Sequence, residues 1–229
     1  MGTSLTHKLR VANRIATKKF YSLIGGMNIR LQPSVRYNIK AGYHHAKSAE
    51  SFDDTAGTDE FQREVYELAA QVASDNNYSR VIDVGCGSAH KLIKYLGHLQ
   101  TIGIEGQPTH QWLTNRYPER SWVEYGDSTA KRLEADLVIC SDVIEHIAEP
   151  NSLMEYLAGL HAEKFVISTP ERDLHEGVGD YGPPENTSHY REWNAPEFHS
   201  YISSWFDVLR HETFQAKSIT QVIIAKPRQ

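Results

Sequence analysis

A chain of 229 residues suits one α/β domain with a terminal extension. Its 40% hydrophobic and 23% charged residues exclude a disordered chain, a collagen-like repeat and a coiled coil, and no stretch approaches the about 20 apolar residues of a membrane span. The net charge of −5 is unevenly spread: residues 1–49 hold nine of the 24 Lys and Arg and none of the 29 Asp and Glu, so +9 there faces −14 over residues 50–229.

Leu5–Ile24 mixes basic residues with Leu9, Val11, Ile15, Phe20 and Leu23, which predicts a basic amphipathic helix ending at Gly25-Gly26. Two readings stay open for it: a helix docked on the domain, or an arm for an anionic membrane surface or anionic ligand. Gly2 fits the loose N-myristoylation pattern, and the acid-free start also fits a transit peptide. Residues 37–57, with Tyr37, Tyr43, His44, His45, Phe52, Asp53 and Asp54, lack a period and read as a lid. The domain proper is expected to begin at Thr58, where Thr58-Asp59-Glu60 precede a helix with Phe61, Val65, Leu68, Ala69 and Val72 on one face.

Strands and helices then alternate. Strands are expected at Arg80–Gly85, Thr101–Glu105, Trp122–Gly126, Ala135–Ser141 and Lys164–Ser168, and helices at Ala89–Leu96, Thr109–Arg116, Asn151–His161 and Pro196–Phe206. Residues 171–194 read as a long polar loop, and Val208–Glu212 with Thr220–Ala225 as a closing antiparallel pair. The pattern predicts an α/β, doubly wound, mostly parallel sheet covered on both faces, with an N-terminal helical and lid extension. Two cysteines, Cys86 and Cys140, are too few for a disulfide framework and point to a reducing, cytoplasmic compartment.

The sharpest local signal is Val81-Ile82-Asp83-Val84-Gly85-Cys86-Gly87. An apolar strand runs into a turn whose glycines admit a ligand close to the backbone. The dinucleotide fingerprint needs a third glycine at position 90, which is His90, so a nicotinamide cofactor is disfavoured. Glu105, 22 residues after Asp83, ends the next strand, where an acid grips a ribose diol in doubly wound folds. Gly126-Asp127-Ser128 follow the third strand and face the expected position of an adenine amine.

Over residues 58–226 the chain resembles the class I S-adenosylmethionine-dependent methyltransferases. The resemblance implies a seven-stranded sheet with the last strand antiparallel. It places Asp83, Gly85, Cys86 and Gly87 around the methionine part of the cofactor, Glu105 and Gly106 at the ribose, Asp127 and Ser128 near the adenine, and Ser141 at the same pocket. Ala89 stands where the family usually has a third glycine.

A hydroxyl acceptor must lose its proton as the methyl arrives, so a general base or a metal is required. Ser141-Asp142-Val143-Ile144-Glu145-His146 offers Asp142, Glu145 and His146 on one face if it forms a helical turn. His189, in Ser188-His189-Tyr190-Arg191-Glu192-Trp193, adds a second imidazole. Asp142, Glu145, His146 and His189 are candidate ligands for Mg²⁺, Mn²⁺, Fe²⁺ or Zn²⁺, with Mg²⁺ or Mn²⁺ expected; in a metal-free variant of the chemistry, His146, His189 and Asp142 are the candidate catalytic groups. The cluster is similar to those of ubiquinone-pathway and small-RNA 2′-O-methyltransferases, in which Glu is commoner at the place of Asp142. Tyr181, Tyr190 and Trp193 are candidates for stacking on a ring of the acceptor, and Trp193 fits a core anchor at the next helix equally well.

The expectation is O-methylation of a sugar, glycan or natural-product acceptor, in the cytoplasm or at a membrane periphery. The alternatives are an RNA ribose 2′-O-methyltransferase and a non-catalytic cofactor-binding protein. The acidic character of residues 50–229 makes nucleic acid the less favoured partner.

Overall fold

The computed structural model describes residues 37–40, 43, 45, 55–180 and 182–228. The amphipathic helix expected at Leu5–Ile24, Gly2, His44, Phe52, Asp53, Asp54 and Tyr181 lie outside the described residues.

The first described helix, α1 (Arg63–Asp75), buries Val65, Tyr66, Ala69, Val72 and Ala73. Phe61 lies outside it, half exposed. Strand and helix then alternate through β1 (Arg80–Val84), α2 (His90–Leu96), β2 (Gln100–Glu105), α3 (Thr109–Arg116), β3 (Ser121–Glu124), β4 (Glu134–Ser141), α4 (Pro150–Ala158) and β5 (His161–Pro170). A short α5 (Arg172–Glu176), α6 (Ala195–Ser203), β6 (Phe206–Gln215) and β7 (Ile219–Pro227) complete the chain.

The sheet order is β3-β2-β1-β4-β5-β7-β6. Strands β1 to β5 pair in parallel. β7 inserts antiparallel between β5 and β6, which makes the expected closing pair. Strand order reverses between β1 and β4, the place where doubly wound sheets open a crevice at their carboxyl ends. The central parallel strands β1, β4 and β5 are largely apolar because they are covered on both faces. Ile82, Val84, Val138 and Phe165 belong to one buried cluster, and Val81, Leu137, Ile139 and Val166 to the other.

Several boundaries differ from the expected ones. Helix α4 stops at Ala158 because Gly159 follows and His161 and Ala162 are taken into the ladder with Glu134 and Ala135. Helix α6 ends at Ser203, since Phe206 already pairs with Pro227. Within the stretch expected to be loop, α5 forms behind Glu171, whose carboxylate accepts the Leu174 N–H at 2.6 Å.

The lid residues that are described are built into the domain. Tyr37, Ile39 and Tyr43 are buried in the cluster that holds Trp193, Phe198 and Tyr201. The Trp193 indole N–H donates to the Tyr37 carbonyl at 2.9 Å. The buried Arg172 joins Asp173 and Glu197 and lies over the Tyr43 ring. Packing of this kind ties residues 171–198 to the sheet.

Candidate active site

The turn after β1 sets one end of the site. Gly85 has φ +76, and a Cβ there would sit 2.4 Å from Val143 Cγ2, so the turn can close on the segment after β4 only without a side chain. Ala89, at the place of the family's third glycine, holds φ +56 and leads into α2. Glu105 projects from the tip of β2 and accepts from the Gly87 N–H and the Gly106 N–H, each at 2.9 Å. Its carboxylate therefore bridges the tips of β1 and β2.

A cavity of about 670 Å³ opens at this point. Gly85, Cys86, Gly87, Glu105 and Ser141 line one end, and Glu145, His146, His189 and Glu192 also face it. Among the other sequence candidates, Asp83, Gly106, Asp127 and Ser128 do not line the cavity. Asp127 is exposed; its carboxylate accepts the Thr129 N–H at 2.8 Å, which holds its pKa below the ordinary value.

Asp83 lies fully buried behind the cavity wall. The Tyr66 hydroxyl donates to its Oδ2 at 2.9 Å, and Oδ1 has no hydrogen-bond partner among the described residues. Burial pushes the carboxyl up to about 7, against the opposing pull of the Tyr66 bond and the Lys91 charge. A folded-state value above the unfolded one means that stability is lost as pH rises through the window from about 4 to about 7. Asp83→Asn should remove most of that decline, so the ligand-free variant should melt higher than wild type at pH 8 and not at pH 4. The contribution is at most about 4 kcal/mol. Thermal melts across this range that fall equally in both proteins would contradict it.

The other end of the site is built after β4. The expected helical turn over Asp142–His146 does not form. Asp142 has φ +51, and only Ile144–His146 make a 3₁₀ turn, so no single helical turn carries the three side chains, although all three line the cavity. The Asp142 carboxylate instead accepts from Ser168 Oγ at 2.6 Å and bonds the Gln62 side chain. Among the described residues the group whose ligand atoms lie within 4.8 Å of one another is Glu145, His146 and His189, without Asp142.

Each member of this triad is oriented by a second group. Thr169 Oγ1 donates to Glu145 Oε2 at 3.0 Å, and Glu145 Oε1 is buried with no partner among the described residues. His146 Nδ1 lies 3.1 Å from the Ser188 carbonyl. A carbonyl can only accept, so the proton sits on Nδ1 and the lone pair on Nε2. His189 Nδ1 lies 2.5 Å from Glu192 Oε1, and Asn186 Nδ2 donates to Nε2 at 2.9 Å. The two imidazole rings meet edge to face at 4.7 Å. Burial, then the neighbouring Asp142 charge, drives the Glu145 carboxyl well above its ordinary value. Burial and the facing His189 bring the His146 imidazole down to about 4. A buried carboxylate and two imidazoles are the donor set of a divalent cation, which would offset these costs and would take the His189 Nε2 lone pair in place of the Asn186 N–H. The residues therefore fit a metal.

Sequence reasoning passed over Gln62, Tyr66, Ser168, Thr169 and Asn186, and gave Glu192 no role of its own. Gln62 and Tyr66 reach the site from the start of α1, and Ser168 and Thr169 from β5; no spacing pattern marks such partners. Glu192 did carry a signal, three residues after His189. Of the two readings of Trp193, the core anchor holds: it is fully buried. Tyr190 is half-buried, and its N–H donates to the Glu145 carbonyl at 2.8 Å.

A family model described as a methyltransferase domain matches residues 57–218. Curated protein sequences give no significant match. Among solved structures, the magnesium protoporphyrin IX methyltransferase ChlM from Synechocystis PCC 6803, with bound S-adenosylhomocysteine, is similar at 17% identity and TM-score 0.56, over 81% of this chain and 91% of that one. The methyltransferase domain of bacterial CtHen1 is 18% identical with TM-score 0.55, over 72% and 98%. The plantazolicin methyltransferase BpumL, in complex with S-adenosylhomocysteine, is 16% identical with TM-score 0.54, over 74% and 86%. At these identities the likeness concerns the fold, and it is the fold described above. The family match spans well over half of the residues, and the chain belongs to the methyltransferase-domain family as a class I S-adenosylmethionine-dependent enzyme.

Proposed function

We propose that the enzyme methylates a hydroxyl oxygen of a small-molecule acceptor (a sugar, a glycan unit or a natural product) with a divalent ion held by Glu145, His146 and His189. The observation that carries this reading is that the triad and the glycine turn at Gly85–Gly87 face one cavity. Methyl transfer breaks the sulfonium S–CH₃ bond, leaving the neutral thioether, and forms an O–CH₃ bond while the hydroxyl proton passes to water. Aligning donor and acceptor supplies much of the rate.

The ion, when bound, makes the acceptor hydroxyl more acidic. Thr169 turns Glu145 into the cavity, Glu192 holds His189, and the Ser188 carbonyl holds His146. An imidazole as weakly basic as His146 is a poor general base near neutral pH and a good neutral ligand. Two nitrogens and one carboxylate suit Mn²⁺, Fe²⁺ or Zn²⁺ better than Mg²⁺, which prefers oxygen donors. Glu105 and the glycine turn line the same cavity, which supports the cofactor ribose at Glu105 and its methionine part over the turn. A cavity of about 670 Å³ suits the cofactor and a small acceptor, and the acidic character of residues 50–229 disfavours a polyanion.

The test uses purified enzyme, cofactor labelled at the methyl group, and a panel of sugars, glycosides, polyphenols and ribo-oligonucleotides. Label should appear on oxygen in a small hydroxylated acceptor. EDTA should stop turnover and Mn²⁺ restore it. Turnover that ignores EDTA would remove the ion from the reading, label on nitrogen would remove the reaction type, and label confined to the oligonucleotides would move the acceptor to RNA ribose. No helix among the described residues is long and apolar enough to cross a membrane.

A further inference from the structure

We propose that Arg191 is a positioning residue that clasps the two halves of the Glu145–His146–His189 triad together, and that Tyr37, from the N-terminal segment, backs the clasp. The inference rests on the metal reading for its consequence, though not for its geometry.

The triad is assembled from two stretches more than 40 residues apart. Glu145 and His146 sit on the 3₁₀ turn after β4, and His189 sits on the loop before α6. Neither stretch is part of a long element, so backbone rigidity alone does not hold them in register. Arg191 lies two residues after His189 and one before Glu192. Its Nη1 donates to the Ile147 carbonyl and its Nη2 to the Ala148 carbonyl, both at 2.7 Å. Those carbonyls follow directly on the turn that carries Glu145 and His146. One planar guanidinium thus ties the His189 loop to the exit of that turn through two charge-assisted bonds, a geometry that lysine cannot reproduce.

The guanidinium is itself held. Its carbon lies 4.7 Å from the Tyr37 ring centroid and 5.9 Å from that of Trp193. Tyr37 is pinned at both ends: its hydroxyl donates to Glu149 at 2.7 Å, and its carbonyl accepts from Trp193. Arg191 is only 5% exposed, so these cation–π contacts are poorly screened. The Tyr190 N–H to Glu145 carbonyl bond and the His146 Nδ1 to Ser188 carbonyl contact also join the two stretches, and the His45 N–H to Tyr190 carbonyl bond ties the loop to the N-terminal segment. The His189 ring itself is held by Glu192 and Asn186. Arg191 does not line the cavity, so it acts through the triad.

The test compares full-length wild type with Arg191→Lys, Arg191→Met and Tyr37→Leu. Mn²⁺ affinity is measured by calorimetry, S-adenosylhomocysteine affinity in parallel, and the imidazole nitrogens by ¹⁵N NMR without metal. The expected order of Mn²⁺ affinity is wild type, Tyr37→Leu, Arg191→Lys, Arg191→Met. The two Arg191 variants should lose roughly 10- to 100-fold, as when a group supporting a metal ligand is removed. S-adenosylhomocysteine affinity should stay at the wild-type value; an equal fall in both affinities would mean a general structural role and overturn the proposal. So would Mn²⁺ affinity and imidazole spectra unchanged in Arg191→Lys. If Arg191→Met does not fold, Arg191→Lys and Tyr37→Leu decide by the same criteria. If wild type binds no Mn²⁺, the metal reading fails, and the clasp stands or falls on the NMR. Loss of the fixed Nδ1–H form at His146 and His189 in Arg191→Lys supports it, and an unaltered spectrum overturns it.

Discussion

Replacing Glu145 with Gln is expected to abolish Mn²⁺ binding and to slow turnover by on the order of 10²–10⁴-fold, with S-adenosylhomocysteine affinity kept. The substitution keeps shape and volume, so Thr169 Oγ1 can still donate to the side-chain oxygen that replaces Oε2. What disappears is the negative charge at Oε1, the buried oxygen that no described residue satisfies. Burial and the Asp142 charge already disfavour the ionised form, so the ligand-free variant should be at least as stable as wild type at neutral pH. Activity and stability should therefore move apart. A variant that is less stable and equally active would reverse both signs and dismiss Glu145 as a ligand. His189→Ala should lose turnover on the same scale. Its buried neighbour Glu192 would then be left without its imidazole partner, so a lower melting temperature is expected there.

Glu105→Ala carries the second large effect. The carboxylate bridges the Gly87 and Gly106 amides beyond the paired ends of β1 and β2. Alanine removes the carboxylate proposed to meet the cofactor's ribose hydroxyls. Hydrogen bonds to a charged group contribute about 1.5–3 kcal/mol each. The loss of two of them should weaken S-adenosylhomocysteine binding by roughly 100-fold or more. Glu105→Gln keeps one acceptor oxygen and should fall between. Calorimetry with a 2′,3′-dideoxyribose analogue provides the control: wild type and Glu105→Ala should bind it with similar affinity. A deficit as large for the analogue as for the natural compound would show that Glu105 shapes the loop and does not contact the ribose.

Much of the molecule was readable because its signals are local. An apolar run such as Val81–Val84 followed by Gly85 and Gly87 specifies a buried strand and a tight turn by short-range sterics, and the structure forms both. Helix α3 has the expected bounds, Thr109–Arg116. The errors cluster where a long-range partner competes with local propensity. His161 and Phe206 continue a helical pattern in sequence, yet both are claimed by ladder pairing. For Trp193, an aromatic in a polar loop, ring stacking and a core anchor are equally open in sequence; Tyr37, Phe198 and Tyr201, which share its core cluster, decide for the anchor.

The site divides in the same way. That residues after β4 carry an acid, a carboxylate and an imidazole is plain from Asp142, Glu145 and His146. Which of them converge is a matter of backbone path: φ +51 at Asp142 sends its carboxylate to Ser168, while His189 arrives from a loop 43 residues further on.

The amino-acid order alone thus determined the alternating α/β architecture, the glycine turn at the first strand, the acid at the tip of the second, and the family. Those features rest on periodicity and sterics that act within a few residues. The three-dimensional packing decided which carboxylate joins the two imidazoles, which side chains orient them, and how Arg191 and Tyr37 bind distant segments into one centre. Such choices depend on contacts between residues far apart in the chain, and these exist only once the sheet has brought its strand ends together.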